Sequence, residues 1–267
     1  MSDDWIAAGW SPAAAPPGFQ VLRSTQNLAL VMVDRPDRHN ALTRDMWAAF
    51  PDLLSSVADA RALLLTGAGR TFSAGADIGE LQTIYADPDA AAAYHATNVA
   101  AEEALATFPA PTIAAIRGAC VGGGCQLAAA CDLRIAATGA RFGVTPAKLG
   151  VVYPAVPTVR LADLVGPARA KYLLFTADLI DAERALGFGL VDEVVSPDRL
   201  VTRATELART IAGRSPQTIG AVSAALRARS AGTPVDEAIA PFLDQARRAP
   251  DVTEGLSAFL AGRPPAF

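Results

Sequence analysis

Ile116-Arg-Gly-Ala-Cys-Val-Gly-Gly-Gly-Cys-Gln-Leu-Ala-Ala-Ala-Cys-Asp132 runs from an apolar, β-like stretch through three consecutive glycines into an alanine-rich helical segment. A triple glycine lets the backbone pass close to a ligand. The first N–H groups of the helix that follows have no intrahelical partner and point at whatever occupies that place. Such a turn is a ready oxyanion site, although glycines at a strand-to-helix junction also serve tight packing alone. A second turn of the same kind lies upstream in Leu63-Leu-Leu-Thr-Gly-Ala-Gly-Arg-Thr-Phe-Ser-Ala-Gly-Ala-Asp-Ile78, again an apolar strand, a glycine loop and a helix. Two oxyanion donors can therefore converge from two turns.

Apolar and helical segments alternate along the rest of the chain. Phe19 to Arg23 and Leu28 to Val33 read as strands joined by a Ser-Thr-Gln-Asn turn, and Thr43 to Ala58 reads as a helix capped by Thr43. Arg61 to Thr66, Thr112 to Arg117, Leu133 to Ala137 and Val191 to Val195 read as further strands. Helices are expected around Gly124 to Ala130, Ala155 to Leu164, Ala168 to Phe175 and Ala182 to Leu186. The order is that of an α/β protein built on crossovers. Residues 7–18, rich in alanine, proline and glycine, read as a loose arm, with structure beginning near Phe19.

Five segments, taken in order, resemble the crotonase superfamily of enoyl-CoA hydratases and isomerases, over a span from about Leu28 to the C-terminus. They are Asp34-Arg-Pro-Asp-Arg-His-Asn-Ala-Leu42, Arg70-Thr-Phe-Ser-Ala-Gly-Ala-Asp-Ile78, Gly122-Gly-Gly-Cys-Gln-Leu-Ala128, Arg141-Phe-Gly143 and Gly187-Phe-Gly-Leu-Val-Asp-Glu-Val194. The resemblance implies a spiral of ββα repeats over residues 19–199, preceded by a flexible arm over 1–18 and followed by a helical oligomerisation region over 200–267. It implies a homotrimer or a dimer of trimers. It also places an oxyanion hole at the backbone N–H groups of Ala76 and Gly123, around the thioester carbonyl of an acyl-CoA. Substrate-binding positions carried over with it are Arg38, His39, Ala41, Ala74, Asp77, Ile78, Gly122 and Pro146, and the Pro-Pro-Ala-Phe ending resembles the family tail that closes over CoA. No cofactor is implied, since coenzyme A enters as part of the substrate.

The same resemblance shows departures. Where hydratases of the family carry two glutamates, this chain has Gln126 and Pro146, and no carboxylate stands in Val151-Val-Tyr-Pro154 where isomerases place theirs. An amide does not exchange a proton near neutral pH and proline has no side-chain acid, so ordinary hydration and double-bond shifting are disfavoured. Thr145, Gln126 and Tyr153 remain, and they suit a reaction that starts without proton abstraction. Decarboxylation of a malonyl-type thioester is one: CO₂ leaves and the two amides stabilise the enolate. Thr145-Pro-Ala-Lys-Leu-Gly-Val-Val-Tyr153 is similar to methylmalonyl-CoA decarboxylases of the superfamily, with Ala76 standing where those enzymes have histidine. An unusual hydration and a catalytically silent acyl-CoA or acyl-carrier binder are the alternatives.

Each of these residues also has a plainer reading. Thr145 before Pro146 is extended loop, Tyr153 is a packing aromatic, and Gln126 is a polar cap on the first helical turn. Asp77 and Glu80 read as a capping pair, the glutamate reaching back. His39 either meets phosphate oxygens with Arg38 or lies in a solvated loop. His95, in the helical stretch from Ala90 to Leu105, reads as a surface histidine.

Composition narrows the class. The chain has 267 residues, is 51% hydrophobic and carries a net charge of −4, which suits one large soluble α/β domain and argues against nucleic-acid binding. Two histidines without a carboxylate pair around them argue against a metal site. Cys120, Cys125 and Cys131 lack a Cys-x-x-Cys pair and read as buried thiols of a reducing, cytoplasmic compartment. The start, Met1-Ser-Asp-Asp-Trp5, lacks the apolar core of a signal peptide, and no run is long enough to span a membrane. Gly67-Ala-Gly-Arg-Thr-Phe72 lacks the third glycine of a dinucleotide fingerprint, and neither a phosphate-binding Gly-Lys-Ser/Thr loop nor a serine elbow is present.

Overall fold

The computed structural model describes residues 2–248 and 250–267, with the side chains of residues 2 and 3 outside the description. Met1 of the expected arm and Ala249 of the C-terminal region thus lie outside it. A seven-stranded sheet runs in the order β1 (Trp10–Ala13), β2 (Phe19–Ser24), β3 (Leu28–Val33), β4 (Ala62–Gly67), β5 (Thr112–Ile116), β7 (Leu133–Ala137) and β10 (Glu193–Val195). The first three strands pair antiparallel and the rest parallel. A three-stranded sheet joins β6 (Ala119–Val121), β8 (Arg141–Gly143) and β9 (Ile180–Asp181).

The two sheets together make the expected spiral. β5 lies in the large sheet and the next strand, β6, in the small one; β7 and β8 repeat the step. The loop after β4 does the same without a full strand, through a single parallel bridge from Ser73 to Cys120. Helices follow each step: α2 (Arg44–Ser55) before β4, then α3 (Ile78–Ile84) and α4 (Pro88–Ala106) after it, and α5 (Gly123–Ala130) after β6. After β8 come α6 (Pro146–Leu149), α7 (Ala155–Val165) and α8 (Pro167–Thr176), and α9 (Ala182–Phe188) links β9 to β10.

Both faces of the large sheet are covered, which is why its strands read as unbroken apolar runs. Alternate residues of β3 serve opposite cores: Ala29, Val31 and Val33 pack on the α2, α4 and α5 side, and Leu28, Leu30 and Met32 on the other. Thr43 caps α2 as expected, its side chain accepting from the Met46 N–H.

One expectation changes. Residues before Phe19 are not a loose arm: α1 (Ser2–Ala7) leads into β1, and Trp5 and Trp10 meet edge to face at 6.0 Å, each 2% exposed. The composition of residues 7–18 concealed this, because the alanine–proline run is only the connector. Pro12 is tolerated in β1 because that strand is the sheet edge. The helical region expected from residue 200 begins with a helix of the core. α10 (Leu200–Ala212) lays Leu200, Ala204 and Ala208 onto the large sheet beside the two tryptophans. The helices outside the core are α11 (Pro216–Ala231), α12 (Val235–Ala246) and α13 (Pro250–Leu260). Arg61 ties this end to the body, donating to the carbonyls of Ala212, Arg214 and Phe267. The terminal Phe267 ring rests against Gly255 of α13.

Replacing Trp10 by alanine should lower the unfolding free energy by about 3–5 kcal/mol, read from urea denaturation. A free N-terminal arm would leave the midpoint unchanged.

Candidate active site

The loop after β4 is held by a buried amide. Asn40, in the left-handed region at φ 56°, donates from Nδ2 to the carbonyls of Ala68 (2.7 Å) and Thr71 (2.6 Å) and accepts at Oδ1 from the Arg35 N–H. Asparagine suits this conformation because its short side chain bonds locally. Ser73 Oγ donates to the Asn40 carbonyl and accepts from the Gly75 N–H. Backbone bonds from Ala74 to His39, from Leu42 to Gly75 and from Asp77 to Leu42 fasten the rest of the turn.

That turn touches the second one. Gly75 stands at φ 94°, and a Cβ there would lie 2.7 Å from the Val121 carbonyl oxygen and 2.9 Å from the Gly123 nitrogen. Only glycine fits both the conformation and the space. On the other side, Val121 donates to Ser73 and Gly122 to Gly143, which leaves Gly123 as the first residue of α5. A Cβ on Gly123 would meet the Trp47 ring at 2.7 Å, and one on Gly124 the Ser73 carbonyl oxygen at 2.5 Å. Among the described residues, neither the Ala76 N–H nor the Gly123 N–H finds an acceptor. The two free donors thus sit on turns whose backbones are in contact.

A cleft of about 100 Å³ opens at these turns. Ala74, Ala76, Ile78, Gly122, Gly123, Gln126, Thr145, Pro146 and Tyr153 all line it, so it gathers most of the residues singled out in the sequence. Thr145 is not extended as its proline neighbour suggested: at φ −108°, ψ 20° it opens α6, and its hydroxyl makes no capping bond. Gln126 folds back over the first turn of α5, its Oε1 3.5 Å from where a Cβ on Gly123 would stand. Tyr153 lines the cleft with its ring while its hydroxyl is buried without a hydrogen-bond partner. Burial, reinforced by the nearby Glu102 charge, pushes that phenol well above its ordinary value.

Arg38 and His39 are not in the cleft. They are exposed on the short 3₁₀ turn Pro36–Arg38 and its left-handed cap, joined to the rim through the Ala74–His39 backbone bond. Ala41 is buried, and its carbonyl accepts from Arg35. Asp77 caps α3, accepting from the Gly79 N–H, and pairs with Arg35 at 2.9 Å, which holds its carboxyl below the usual value. The expected capping box is only half formed, because Glu80 accepts from the Arg44 N–H at 2.7 Å instead of reaching back.

Two residues escaped sequence reading. His95, read as a surface histidine, is half-buried: it lines the cleft and shares a hydrogen bond with the Tyr85 hydroxyl. Glu102, also on α4, is wholly buried; Arg160 Nη1 reaches its Oε2 at 3.1 Å, and Oε1 has no partner. Burial pushes its carboxyl up to about 8 despite Arg160. The alanine-rich composition of α4 gave no apolar stripe from which to orient either side chain. Among the described residues no cluster of three His, Cys, Asp or Glu side chains is placed to hold a metal ion, and no helix is long and apolar enough to cross a membrane.

A family model described as enoyl-CoA hydratase/isomerase matches residues 23–267. The chain is 35% identical over 250 residues to a crotonyl-CoA hydratase of Syntrophomonas wolfei, covering 91% of this chain and 95% of that protein. It is 36% identical over 200 residues to a short-chain-enoyl-CoA hydratase of Clostridium acetobutylicum, covering 73% and 76%. The structure of an enoyl-CoA hydratase/carnithine racemase from Magnetospirillum magneticum superposes with a TM-score of 0.90 at 33% identity over 96% of both chains.

Gly75→Ala should destabilise the protein, because its Cβ meets backbone rather than a movable side chain; a melting temperature equal to wild type would refute the close approach. Glu102 supplies a second test. Between its ordinary 4.5 and about 8, the folded state holds a proton that the unfolded chain has released. Its contribution to stability therefore falls as pH rises through that window, by up to about 1.4 kcal/mol per unit. Urea midpoints at pH 5 and pH 8 should show Glu102→Gln gaining on wild type at the higher pH, and a constant gap would contradict a protonated Glu102.

Proposed function

This chain belongs to the enoyl-CoA hydratase/isomerase family, and we propose that it binds a short acyl-CoA thioester with the carbonyl oxygen between the Ala76 and Gly123 amides and hydrates a 2-enoyl group through the resulting enolate. The observation that carries this is the pair of acceptor-free N–H groups on two touching turns at the edge of an apolar cleft. Donors fixed in advance at the place where negative charge develops cost no reorganisation during reaction, and one such donor is worth ~10²–10³ in rate.

Hydration takes precedence over decarboxylation on two grounds. The relatives above carry the names crotonyl-CoA and short-chain-enoyl-CoA hydratase. The preference for decarboxylation assumed a cleft without a base, and His95 stands in it. In the scheme we favour, a water oxygen adds to C3 while His95 takes its proton. The alkene electrons move into the thioester oxygen, and Tyr153 protonates C2 as the enolate collapses. Each acid or base of this kind contributes ~10²–10⁴ in rate. Arg38 and His39, exposed beside the rim, would meet phosphate oxygens of the CoA, and we take the assembly to be a trimer or a pair of trimers.

Decarboxylation of a malonyl-type thioester is the second reading. Thr145, Gln126 and Tyr153 share the cleft, and no carboxylate lines it. Incubation with crotonyl-CoA and methylmalonyl-CoA, followed by thioester masses, separates the possibilities. Gain of one water by the first is expected; loss of CO₂ from the second alone would favour decarboxylation, and retention of both unchanged would mark a binder. Tyr153→Phe should slow turnover at least ~10-fold, and unchanged turnover would remove the tyrosine from the scheme.

A further inference from the structure

Tyr85 has no part in the scheme above, yet it touches the side chain that the scheme uses as its base. It closes the C-terminal end of α3 and lines the cleft, and its hydroxyl meets Nε2 of His95 on α4 at 2.5 Å. The two rings are inclined at 66° with centroids 5.7 Å apart, and the Tyr94 ring flanks the imidazole at 6.3 Å. A half-turn of the imidazole about its outer torsion would give up the hydrogen bond, so the phenol favours one orientation of the ring.

That bond occupies Nε2. Among the described residues Nδ1 has no partner, and it is not sealed from solvent. A neutral imidazole carries one proton, and only the nitrogen without it can accept another. If Tyr85 donated to Nε2, the proton would stand on Nδ1 and neither nitrogen would be free to act as a base. If Nε2–H donates to the phenol oxygen, Nδ1 keeps its lone pair. The phenol suits the second arrangement. Burial pushes it above its ordinary value, so it stays neutral, and with Tyr85 39% exposed its own O–H can turn to water. The other titratable side chains in the cleft wall are the phenols of Tyr94 and Tyr153, so no charged group there competes to set the imidazole's proton.

We propose that Tyr85 is a positioning residue of this site: its oxygen accepts from His95 Nε2–H and so fixes the tautomer in which Nδ1 takes the proton of the attacking water. This rests on the reading of His95 as the base of hydration. As the water oxygen bonds to C3, one of its O–H bonds breaks and that proton passes to Nδ1, while the alkene electrons move into the thioester oxygen. The imidazolium then donates from Nε2–H to the phenol oxygen as a charge-assisted bond, stronger than the one in the neutral ring. Tyr153 gives its proton to C2. After product leaves, the His95 proton goes to solvent and solvent restores Tyr153, so the cycle balances without a further reactant. A neutral phenol thereby orients the base in a cleft whose wall holds no carboxylate.

The test reads the tautomer itself and needs no turnover. The chain has two histidines, so labelling with ¹⁵N-histidine gives two imidazoles in the NMR spectrum, and His95→Gln assigns them by removing one. At about pH 9, above the ordinary histidine range, His95 of the wild type should show a protonated Nε2 and a bare Nδ1. A protonated Nδ1 there overturns the proposal. Tyr85→Phe keeps the ring and removes only the hydroxyl. It should populate both tautomers and, with crotonyl-CoA, lower kcat at least ~10-fold while KM holds. Tautomer and kcat both unaltered in Tyr85→Phe, with hydration lost in His95→Gln, overturn the role of Tyr85 and leave the base reading standing. Hydration that survives His95→Gln overturns the base reading, and the role of Tyr85 with it.

Discussion

The contact between the Gly75 turn and the Gly122–Gly123 turn governs the rest of this structure. A Cβ on Gly75 would stand 2.7 Å from one backbone atom and 2.9 Å from another, so the two segments can approach only as glycine. They come from successive steps of the spiral, one after β4 and one after β6, and they meet because the small sheet extends through the Ser73–Cys120 bridge. Each side chain that clamps the first turn serves this contact. Asn40 fastens residues 68 and 71, and Ser73 joins the Asn40 carbonyl to the Gly75 amide. Among the described residues, the N–H groups of Ala76 and Gly123 are left without acceptors where the two turns meet.

Around these donors the wall is mostly apolar, and the polar groups in it come from different elements: Gln126 from α5, Thr145 and Tyr153 from the stretch around α6, and His95 from α4. Charge is kept one layer further back. Arg160 faces Glu102 and Glu103 together, and Arg35 pairs with Asp77 behind the loop. The net shifts of these carboxyls are opposite: burial raises both, but it outweighs the cation for Glu102 and yields to it for Asp77. The difference is solvent access, since Asp77 keeps contact with water and two donors while Glu102 keeps one donor and none.

Much of the core was legible because its signals are local. β3 and β4 are unbroken apolar runs, Thr43 is a cap with its helix behind it, and the two glycine turns lie between a strand and a helix in sequence as in space. The N-terminal segment was not legible, because a tryptophan's burial depends on the partner that covers it; here that is α10, nearly two hundred residues later. The capping box at Asp77 failed for a similar reason, as the Arg44 amide competes for Glu80 from a distant helix.

The sequence by itself determined the alternation of strands and helices and the glycine positions of both turns, which follow from periodicity, from capping and from the requirement for a residue without a Cβ. The family and its spiral were implied by the resemblance of five separate segments. Tertiary structure alone decided which titratable groups serve the cleft. On α4, Tyr94 and His95 adjoin in the chain and Glu102 follows two turns later, yet His95 lines the cleft and Glu102 is buried against Arg160. A side chain's protonation depends on solvent and charge in three dimensions, and an alanine-rich helix carries no mark of which face will meet either.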